Sequence, residues 1–263
     1  RRARRRVNPD GWPVGFLLAS LVILSSPCRA KWNNLYDVKI GCILTLSRLE
    51  NDMTKKVAKK PANASKSAAY HHGDLKRELV AAGRRVLEES GVEGLSLRGV
   101  AREAGVSQAA PYHHFADKDA LLAAIAAEGF AGLSAEMAQR SAGAENSGAH
   151  MGGLGAGYIV FAFKNPELFR LMHGPRFVVA EKYDDLLIVA TESFNMLRDG
   201  VAACLDGASD AEIDAACTAA WSLVHGASML IVDRRIDAGN TVDEIAAFAN
   251  ALTSQLPVSR PRQ

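Results

Sequence analysis

The sequence predicts an all-α protein in which a group of short N-terminal helices precedes a larger helical domain. Apolar residues recur with a period near 3.6 residues, which is the repeat of an amphipathic helix. Alternating runs of β-branched residues, which are typical of β-strands, do not occur in the C-terminal half. The chain has 263 residues, of which 48% are hydrophobic and 23% are charged. This balance predicts a folded chain with its own core and excludes a collagen, a disordered chain and a polytopic membrane protein.

Charge is distributed unevenly along the chain. The formal net charge is +5 over residues 1–53, +4 over residues 54–119 and −7 over residues 120–263. A basic first half suggests a polyanion-binding module in front of a module with a different role. The cysteines form no C-x-x-C pair and have no histidine at ligand spacing. Neither a zinc cluster nor a disulfide framework is therefore expected, and no metal or cofactor is predicted.

Residues 1–52 differ in character from the rest. Arg1–Arg6 precede the apolar run Val14–Leu24, an order that imitates a secretory signal. The run is shorter than the roughly 20 residues that span a bilayer, and Pro27 before Cys28 makes a poor cleavage site. We interpret residues 1–52 as an upstream-translated, non-native or disordered segment with Met53 as the natural first residue. An exported protein is the alternative.

Residues 53–70 are predicted to be a flexible basic arm. The stretch contains five lysines, no acid and almost no large apolar side chain before Tyr70. Such a segment buries too little surface to offset the entropy of ordering it. A solubilising tail and an arm that follows a DNA backbone are both consistent with this composition.

Helix ends are marked clearly after residue 70. Asp74 is predicted to cap a first helix that Gly91 ends. Ser96 is predicted to cap a second helix over 97–104, and Gly105 supplies the positive φ of a tight turn.

A third, short helix is predicted over 107–114, and Asp117 is predicted to cap a fourth. Two short helices joined by a turn that contains glycine are typical of a helix-turn-helix, whose second helix enters the major groove of DNA. A nonspecific helical hairpin is the alternative on this pattern alone.

The segment 96–121 reads SLRGVAREAGVSQAAPYHHFADKDAL and resembles the DNA-binding signature of the TetR/AcrR family of bacterial transcription regulators. The resemblance covers about residues 71–125. It rests on an ordered run: Ala101, Gly105, Val106, Ser107, Tyr112, His114, Phe115, Lys118 and Leu121. It implies a helix-turn-helix DNA-binding domain over residues 71–120.

The resemblance also implies roles for individual residues. Gln108, Ala109 and Ala110 would face base edges at the start of the recognition helix, and Arg98 would reach a base or a phosphate. The remaining members of the predicted DNA-binding set are the phosphate contacts and their neighbours: Ser107, Tyr112, His113, His114 and Lys118. Arginine can bind guanine bidentately and glutamine can pair with adenine, whereas tyrosine, histidine and lysine on phosphates fix the register.

Pro111 departs from the family pattern, because the family more often has an aliphatic residue there. A proline within a helix removes a hydrogen bond, so the recognition helix is expected to start later or to bend. Phe115 is expected to plug the space between the third and fourth helices.

The C-terminal half is predicted to be helical throughout, apart from a glycine-rich loop over residues 141–153. Helices are expected at about 154–163, 166–173, 180–204, 210–236 and 242–256, with a tail over 257–263. Gly153 to Gly157 follow no strand and make a poor dinucleotide-binding fingerprint.

Two segments resemble the C-terminal domain named for its Trp-His-Gly motif. They are YIVFAFKNPELFRLMHG at 158–174 and WSLVHG at 221–226. The resemblance implies a small-molecule pocket in a helical effector-binding and dimerisation domain over 121–256. Its candidate lining residues are Phe161, Phe169, Met172, Trp221, His225 and Met229. Ordinary core packing is the alternative for each of them.

The last two helices are predicted to form a dimer interface. The final helix carries apolar residues at intervals of three and four, the narrow seam of a coiled coil, and the helix before it is apolar on two sides. The predicted interface residues are Ile213, Cys217, Ala220, Val224, Ile231, Val242, Ile245, Ala249, Leu252 and Leu256. A monomeric core is the alternative.

These features together predict a cytoplasmic, homodimeric transcriptional repressor. It would bind a palindromic DNA operator and be released by an unidentified small-molecule effector, without contacting a membrane. Activation is a second possible outcome of DNA binding. A helical enzyme using His225, His173 or a carboxylate of the helical domain is a rival function, but no G-x-S-x-G, H-E-x-x-H or P-loop motif supports it.

Overall fold

The computed structural model describes residues 66–177 and 183–254, which belong to one compact unit. Its α-helices, in chain order, are α1 Lys66–Gly94, α2 Leu97–Glu103, α3 Lys118–Ser141, α4 Ser147–Lys164, α5 Pro166–His173, α6 Asp184–Cys204, α7 Asp210–Val232 and α8 Val242–Thr253. Two short 3-10 helices, Ala110–His113 and Pro175–Phe177, precede α3 and follow α5. Every regular element in these ranges is helical, which confirms the predicted all-α class. The predictions for residues 1–52 and for residues 53–65 of the arm lie outside the described ranges.

Helix α1 is longer than the sequence predicted. It begins at Lys66, so Asp74 lies inside the helix and the prediction that Asp74 caps it is wrong. The last residues of the predicted arm are therefore helical, because the alanines before Tyr70 favour helix and extending an existing helix costs little. Gly91 leaves the helical conformation at φ 65°, ψ −178°, as the predicted stop requires, and one more turn reaches Gly94.

Helix α4 is the centre of the C-terminal domain. It packs against α3, α5, α6, α7 and α8. A continuous series of its side chains is buried, from Leu154 to Ala162. A helix buried on all sides needs apolar residues on all sides, which explains its apolar sequence.

Glycines set the distance between α3 and α4. A Cβ on Gly157 would lie 2.5 Å from the Cα of Met137, and one on Gly153 would lie 2.5 Å from the Cα of Ser141. These glycines allow α3 and α4 to cross with their backbones in contact. The predicted loop over 141–153 is consequently wrong in its second half, since α4 begins at Ser147 after its cap Asn146.

The later helices follow the sequence with small corrections. Helix α5 occupies the predicted 166–173. Helix α7 ends at Val232 and not near residue 236, because Arg234 adopts φ 53° and the amide of Arg235 bonds back to the carbonyl of Leu230 at 2.7 Å. Helix α8 is described as far as Thr253, and Leu256 lies outside the described residues.

Two described helices, α3 and α7, are long and apolar enough to pass a composition test for a membrane span. A core helix of a soluble protein passes the same test. Both helices pack against α4 in the domain core, and each has a charged N-terminal turn.

Candidate nucleic-acid interface

Helix α2 and the turn after it are fixed by capping and by burial. Ser96 caps α2, as predicted, and accepts a hydrogen bond from the amide of Gly99 at 3.1 Å. Leu97, Val100 and Ala101 are buried. Gly105 has φ 70°, which confirms its predicted place in the turn.

The recognition segment differs from the predicted helix over 107–114. It consists of a turn through Gln108 and Ala109 followed by the 3-10 helix Ala110–His113, with the buried Pro111 in its first turn. The amide of Tyr112 bonds to the carbonyl of Ala109 at 3.1 Å. The amide of Ala110 bonds to the carbonyl of Ser107 at 3.0 Å, and Pro111 between these two bonds has no N–H to donate. The expectation that Pro111 would delay or bend this helix is confirmed.

The predicted contact residues are distributed around this segment. Ser107, Gln108, Ala109 and His113 are exposed, as is Arg98 on α2. Tyr112 is 53% exposed, which is unusual for so large a side chain.

The other members of the set are partly covered. Ala110, His114 and Lys118 are half-buried, with Lys118 in the first turn of α3 beside its cap Asp117. Phe115 is 3% exposed, which agrees with the predicted plug beneath the segment. The structure thus presents a polar, partly basic surface over a fixed apolar base.

Arg102 is an exposed cation that the predicted set omits. It lies on α2 four residues after Arg98, so the two side chains emerge from the same face of the helix. Among the described residues Arg102 has no ion pair. The i, i+4 spacing of the two arginines is the sequence signal that could have identified it.

Helix α1 is connected to α5 by two polar contacts. The guanidinium of Arg84 donates to Oδ1 of Asn165 at 2.5 Å. The carboxylate of Glu88 accepts the main-chain N–H of Leu168 at 3.2 Å. The start of α5 is therefore held by the helix that opens the DNA-binding domain.

The C-terminal domain contains a polar cluster centred on Tyr158. Its hydroxyl lies 2.9 Å from Nδ1 of His225 and 3.2 Å from Nε2 of His173, and it accepts the indole N–H of Trp221 at 3.2 Å. The ring of Phe169 packs edge-on against Tyr158 with the centroids 5.5 Å apart. Since the hydroxyl has one proton, it donates to one imidazole and accepts from the other.

Burial raises the pKa of Tyr158 above its ordinary value, although the bond from Trp221 partly opposes this. The phenol therefore stays neutral at ordinary pH. The sequence did not single out Tyr158, because it lies in a run of apolar residues in α4 and its hydroxyl does not stand out there. A sequence signal for it does exist. Trp221 and His225 are four residues apart on one helix face, and their polar atoms need a hydrogen-bond partner inside the domain.

The candidate pocket residues are only partly brought together. Phe169, Trp221 and His225 surround Tyr158. Phe161 and Met172 are buried, with Met172 packed against Gly129, and Met229 is half-buried on α7. Packing in the domain core accounts for these contacts.

The predicted dimer residues lie mostly within the core of one chain. Cys217, Ala220, Val224, Ile231, Ile245 and Ala249 are all buried there, so their assignment to a surface between subunits is wrong. The seam of α8 packs on α4 of the same chain. Ile213, Val242 and Leu252 are half-buried. Burial raises the pKa of the Cys217 thiol to about 11, as expected for a core residue.

Within the described ranges, no group of three or more histidine, cysteine, aspartate or glutamate side chains could hold a metal ion. The fold and the exposed segment after Gly105 define the class: a helical protein with an N-terminal helix-turn-helix and a larger helical C-terminal domain.

Comparison with known proteins identifies the family. Residues 79–125 match the family model described as bacterial regulatory proteins, tetR family, and residues 152–255 match the one described as tetracyclin repressor-like, C-terminal domain. A comparison with curated proteins finds no significant match.

Solved structures agree with the family matches. A protein of unknown function from Rhodococcus sp. RHA1 is 32% identical, with a TM-score of 0.57 over 73% of this chain and 99% of that chain. The TetR family transcriptional regulator PfmR from Thermus thermophilus is 20% identical, with a TM-score of 0.52 over 70% and 99% of the two chains.

A third similar structure was solved with a ligand. FadR from Bacillus subtilis, in complex with stearoyl-CoA, is 12% identical with a TM-score of 0.54 over 68% of this chain and 96% of that chain. The chain belongs to the TetR family and is a DNA-binding transcriptional regulator. This confirms the family and the general function that the sequence predicted, while the Trp-His-Gly subtype stays a prediction.

Proposed function

We propose that this regulator is a cytoplasmic, homodimeric repressor that binds a palindromic operator and leaves it when a small-molecule effector binds. The observation that carries the proposal is the exposed part of the segment 107–113, which rests on the buried Pro111 and Phe115. Catalysis has no part in the proposal.

The exposed segment supplies the base contacts in this proposal. Gln108, with the methyl groups of Ala109 and Ala110, faces base edges in the major groove, where amide and methyl groups can distinguish bases. The phosphate contacts come from Tyr112, His114 and Lys118, and Ser107 and His113 belong to the same DNA-binding surface. Arg98 reaches either a base or a phosphate. Because the 3-10 helix begins only at Ala110, Gln108 lies in the turn before it. It therefore approaches the major groove of DNA from the N-terminal end of the segment.

A second copy of the chain covers the exposed faces of α7 and α8. The outward side chains of these helices include a set that is small or apolar and carries no charge: Ala215, Ala219, Ser222, Gly226 and Leu230 on α7, and Ala247 and Ala251 on α8. Leu230 is 45% exposed in the single chain. An uncharged face next to a buried core seam favours a permanent partner over solvent.

A ligand in the C-terminal domain acts on DNA binding through α5. The first turn of α5 contacts Arg84 and Glu88 of α1, whereas Phe169 and His173 of the same helix belong to the cluster around Tyr158. A molecule that enters this cluster must displace α5, and α1 with it. The effector acts by binding the DNA-free arrangement more tightly than the DNA-bound one. FadR, which has the same fold, binds an acyl-CoA in its own structure.

Selection of bound fragments from random duplex DNA tests the proposal. The full chain should enrich an inverted repeat whose half-sites lie about 34–36 Å apart, or a multiple of that distance. The variant Gln108→Ala should retain the half-site spacing and lose preference at one position of each half-site. Enrichment of a single, unrepeated site would contradict the dimer, and no enrichment at low salt would contradict DNA binding by this surface.

A further inference from the structure

A groove lies at the junction of α5 and the end of α7, outside the cluster around Tyr158. Its volume is about 730 Å³, within the range of small-molecule sites. The end of α4, the start of α5 and the loop between α7 and α8 form its walls. Phe163, Ile231, Val232 and Ile236 provide apolar surface in it.

Only some of the charged groups around the groove form ion pairs with other described residues. Arg170 is occupied, since it donates to Glu167 at 2.5 Å, to Asp233 at 2.9 Å and to the carbonyl of Val232 at 2.9 Å. Asp237 accepts the main-chain N–H of Gly239 at 3.2 Å.

The two remaining guanidinium groups have no such partner. Arg234 and Arg235 line the groove and form no ion pair with any residue in the described ranges. The groove therefore presents two guanidinium groups without a carboxylate partner among the described residues, beside its apolar surface.

Arg234 is also held in an unfavourable backbone conformation. Its φ is 53°, and it is the one residue other than glycine with positive φ in the described part of the chain. It ends α7 at the position where helices usually have glycine. The main-chain N–H groups of Arg234 and Arg235 bond to the carbonyls of Ile231 and Leu230 at 2.9 and 2.7 Å, which holds this conformation and keeps both arginines beside the groove.

We infer that this groove is a second ligand site, separate from the cluster around Tyr158, which binds a small anionic amphiphile. The carboxylate or phosphate of the ligand pairs with Arg234 and Arg235, whose planar guanidinium groups suit either anion. Its apolar part packs on Phe163 and Ile236. Because Pro166 and Glu167 line the groove, the ligand contacts the same turn of α5 that α1 holds through Glu88.

Titration calorimetry of the full chain with octanoate tests this inference. Saturable binding of one octanoate per chain is expected, with octanol and octylammonium at least tenfold weaker because they lack the negative charge. Octyl phosphate is the second anionic probe. Tighter binding of octanoate indicates a carboxylate as the natural head group, and tighter binding of octyl phosphate indicates a phosphate.

Variants locate the site. Arg234→Asn with Arg235→Gln should weaken octanoate binding at least tenfold, and asparagine tolerates positive φ, so the end of α7 is retained. Arg235→Glu alone should do the same by repulsion. The control Arg176→Gln removes one exposed guanidinium outside the groove and should change the affinity less than twofold.

Three results would overturn the inference: no binding of either anion, equal affinity for octanol and octanoate, or an unchanged affinity in the arginine variants. Octanoate binding is measured without DNA. A failure of operator binding therefore does not affect this test, and a failure of octanoate binding does not affect the proposed repressor function.

Discussion

Glu88 of α1 accepts the main-chain N–H of Leu168, three residues into α5, at 3.2 Å. Helix α5 has no side-chain cap of its own. The side chain of Asn165 instead donates to the carbonyl of Phe161 and accepts a hydrogen bond from Arg84. A carboxylate from a distant part of the chain thus takes the place of a local cap. The favourable interaction of an anion with a helix N-terminus supports it.

Loss of the Glu88 carboxylate should weaken this connection between the domains. Glu88→Ala is expected to lower the free energy of unfolding by about 1 kcal/mol, as the loss of one partly exposed hydrogen bond does. Urea unfolding at fixed protein concentration measures it. The neighbouring exposed Glu89→Ala removes the same charge from the same helix and should have a smaller effect. Equal effects of the two variants would mean that the contact contributes nothing specific.

Lys118 gives a test by salt dependence. If its ammonium lies on a phosphate, Lys118→Ala should weaken binding to every sequence alike and reduce the slope of log K against log salt by about one unit per contact. Fluorescence anisotropy with one duplex over a range of salt concentrations measures the slope. Lys164→Ala removes a lysine from the C-terminal domain and should leave the slope unchanged. An unaltered slope in the Lys118 variant would remove it from the interface.

Arg98 distinguishes reading of a base from contact with a phosphate. Arg98→Ala should cost about 1–3 kcal/mol of binding free energy if the guanidinium pairs with a guanine. Preference at one position of each half-site should then be relaxed. Repeating the DNA selection with the variant detects this change. A retained preference with weaker overall affinity would assign Arg98 to the backbone.

The hydroxyl of Tyr158 satisfies three other polar groups, so its removal should be costly. Tyr158→Phe leaves the indole N–H of the half-buried Trp221 without its acceptor and should lower the free energy of unfolding by about 1–3 kcal/mol. Tyr183→Phe is the control, since that side chain is only half-buried and its hydroxyl is not part of the cluster. Chemical unfolding of both variants at the same protein concentration compares them. A neutral Tyr158→Phe would show that water or a rearranged histidine replaces the hydroxyl.

The proposed dimer face can be broken by one charge. Ala219→Glu places a carboxylate in the centre of the uncharged face of α7 and should shift the protein to monomers in analytical ultracentrifugation. Burial of an unpaired charge between subunits costs several kcal/mol. Ala138→Glu adds the same charge to an exposed position of α3 and should leave the assembly unchanged. A dimer that persists in the Ala219 variant would place the interface elsewhere.

Local signals in the sequence predicted the DNA-binding domain well. Ser96, Gly105 and Asp117 act through their own backbone neighbours, so their caps and turn could be read from the chain directly. Proline at 111 likewise has a local effect, and the shift of the recognition segment follows from it. The start of α1 was predicted wrongly because aspartate, which often caps helices, can also lie inside one, as Asp74 does.

Features that depend on tertiary packing were not predictable in the same way. A seam of apolar residues on α8 indicates that something covers it, but it does not say whether the cover is another subunit or α4. The glycines of α4 suggested a loop. They are required because Met137 and Ser141 of α3 approach α4 closely, and the sequence of α4 alone does not show that approach. The polar partners of Tyr158 come from α5 and α7, far along the chain.

The close crossing at Gly153 and Gly157 has a mechanical consequence. Backbones this close leave no side chain between them that could adjust, so we expect α3 and α4 to turn together. Helix α3 has 24 residues and is therefore about 36 Å long at about 1.5 Å per residue, with Lys118 at one end and the glycine crossing near the other. A rotation of about 5° at the crossing would move Lys118 by about 3 Å at that length, which is the length of a hydrogen bond from its ammonium.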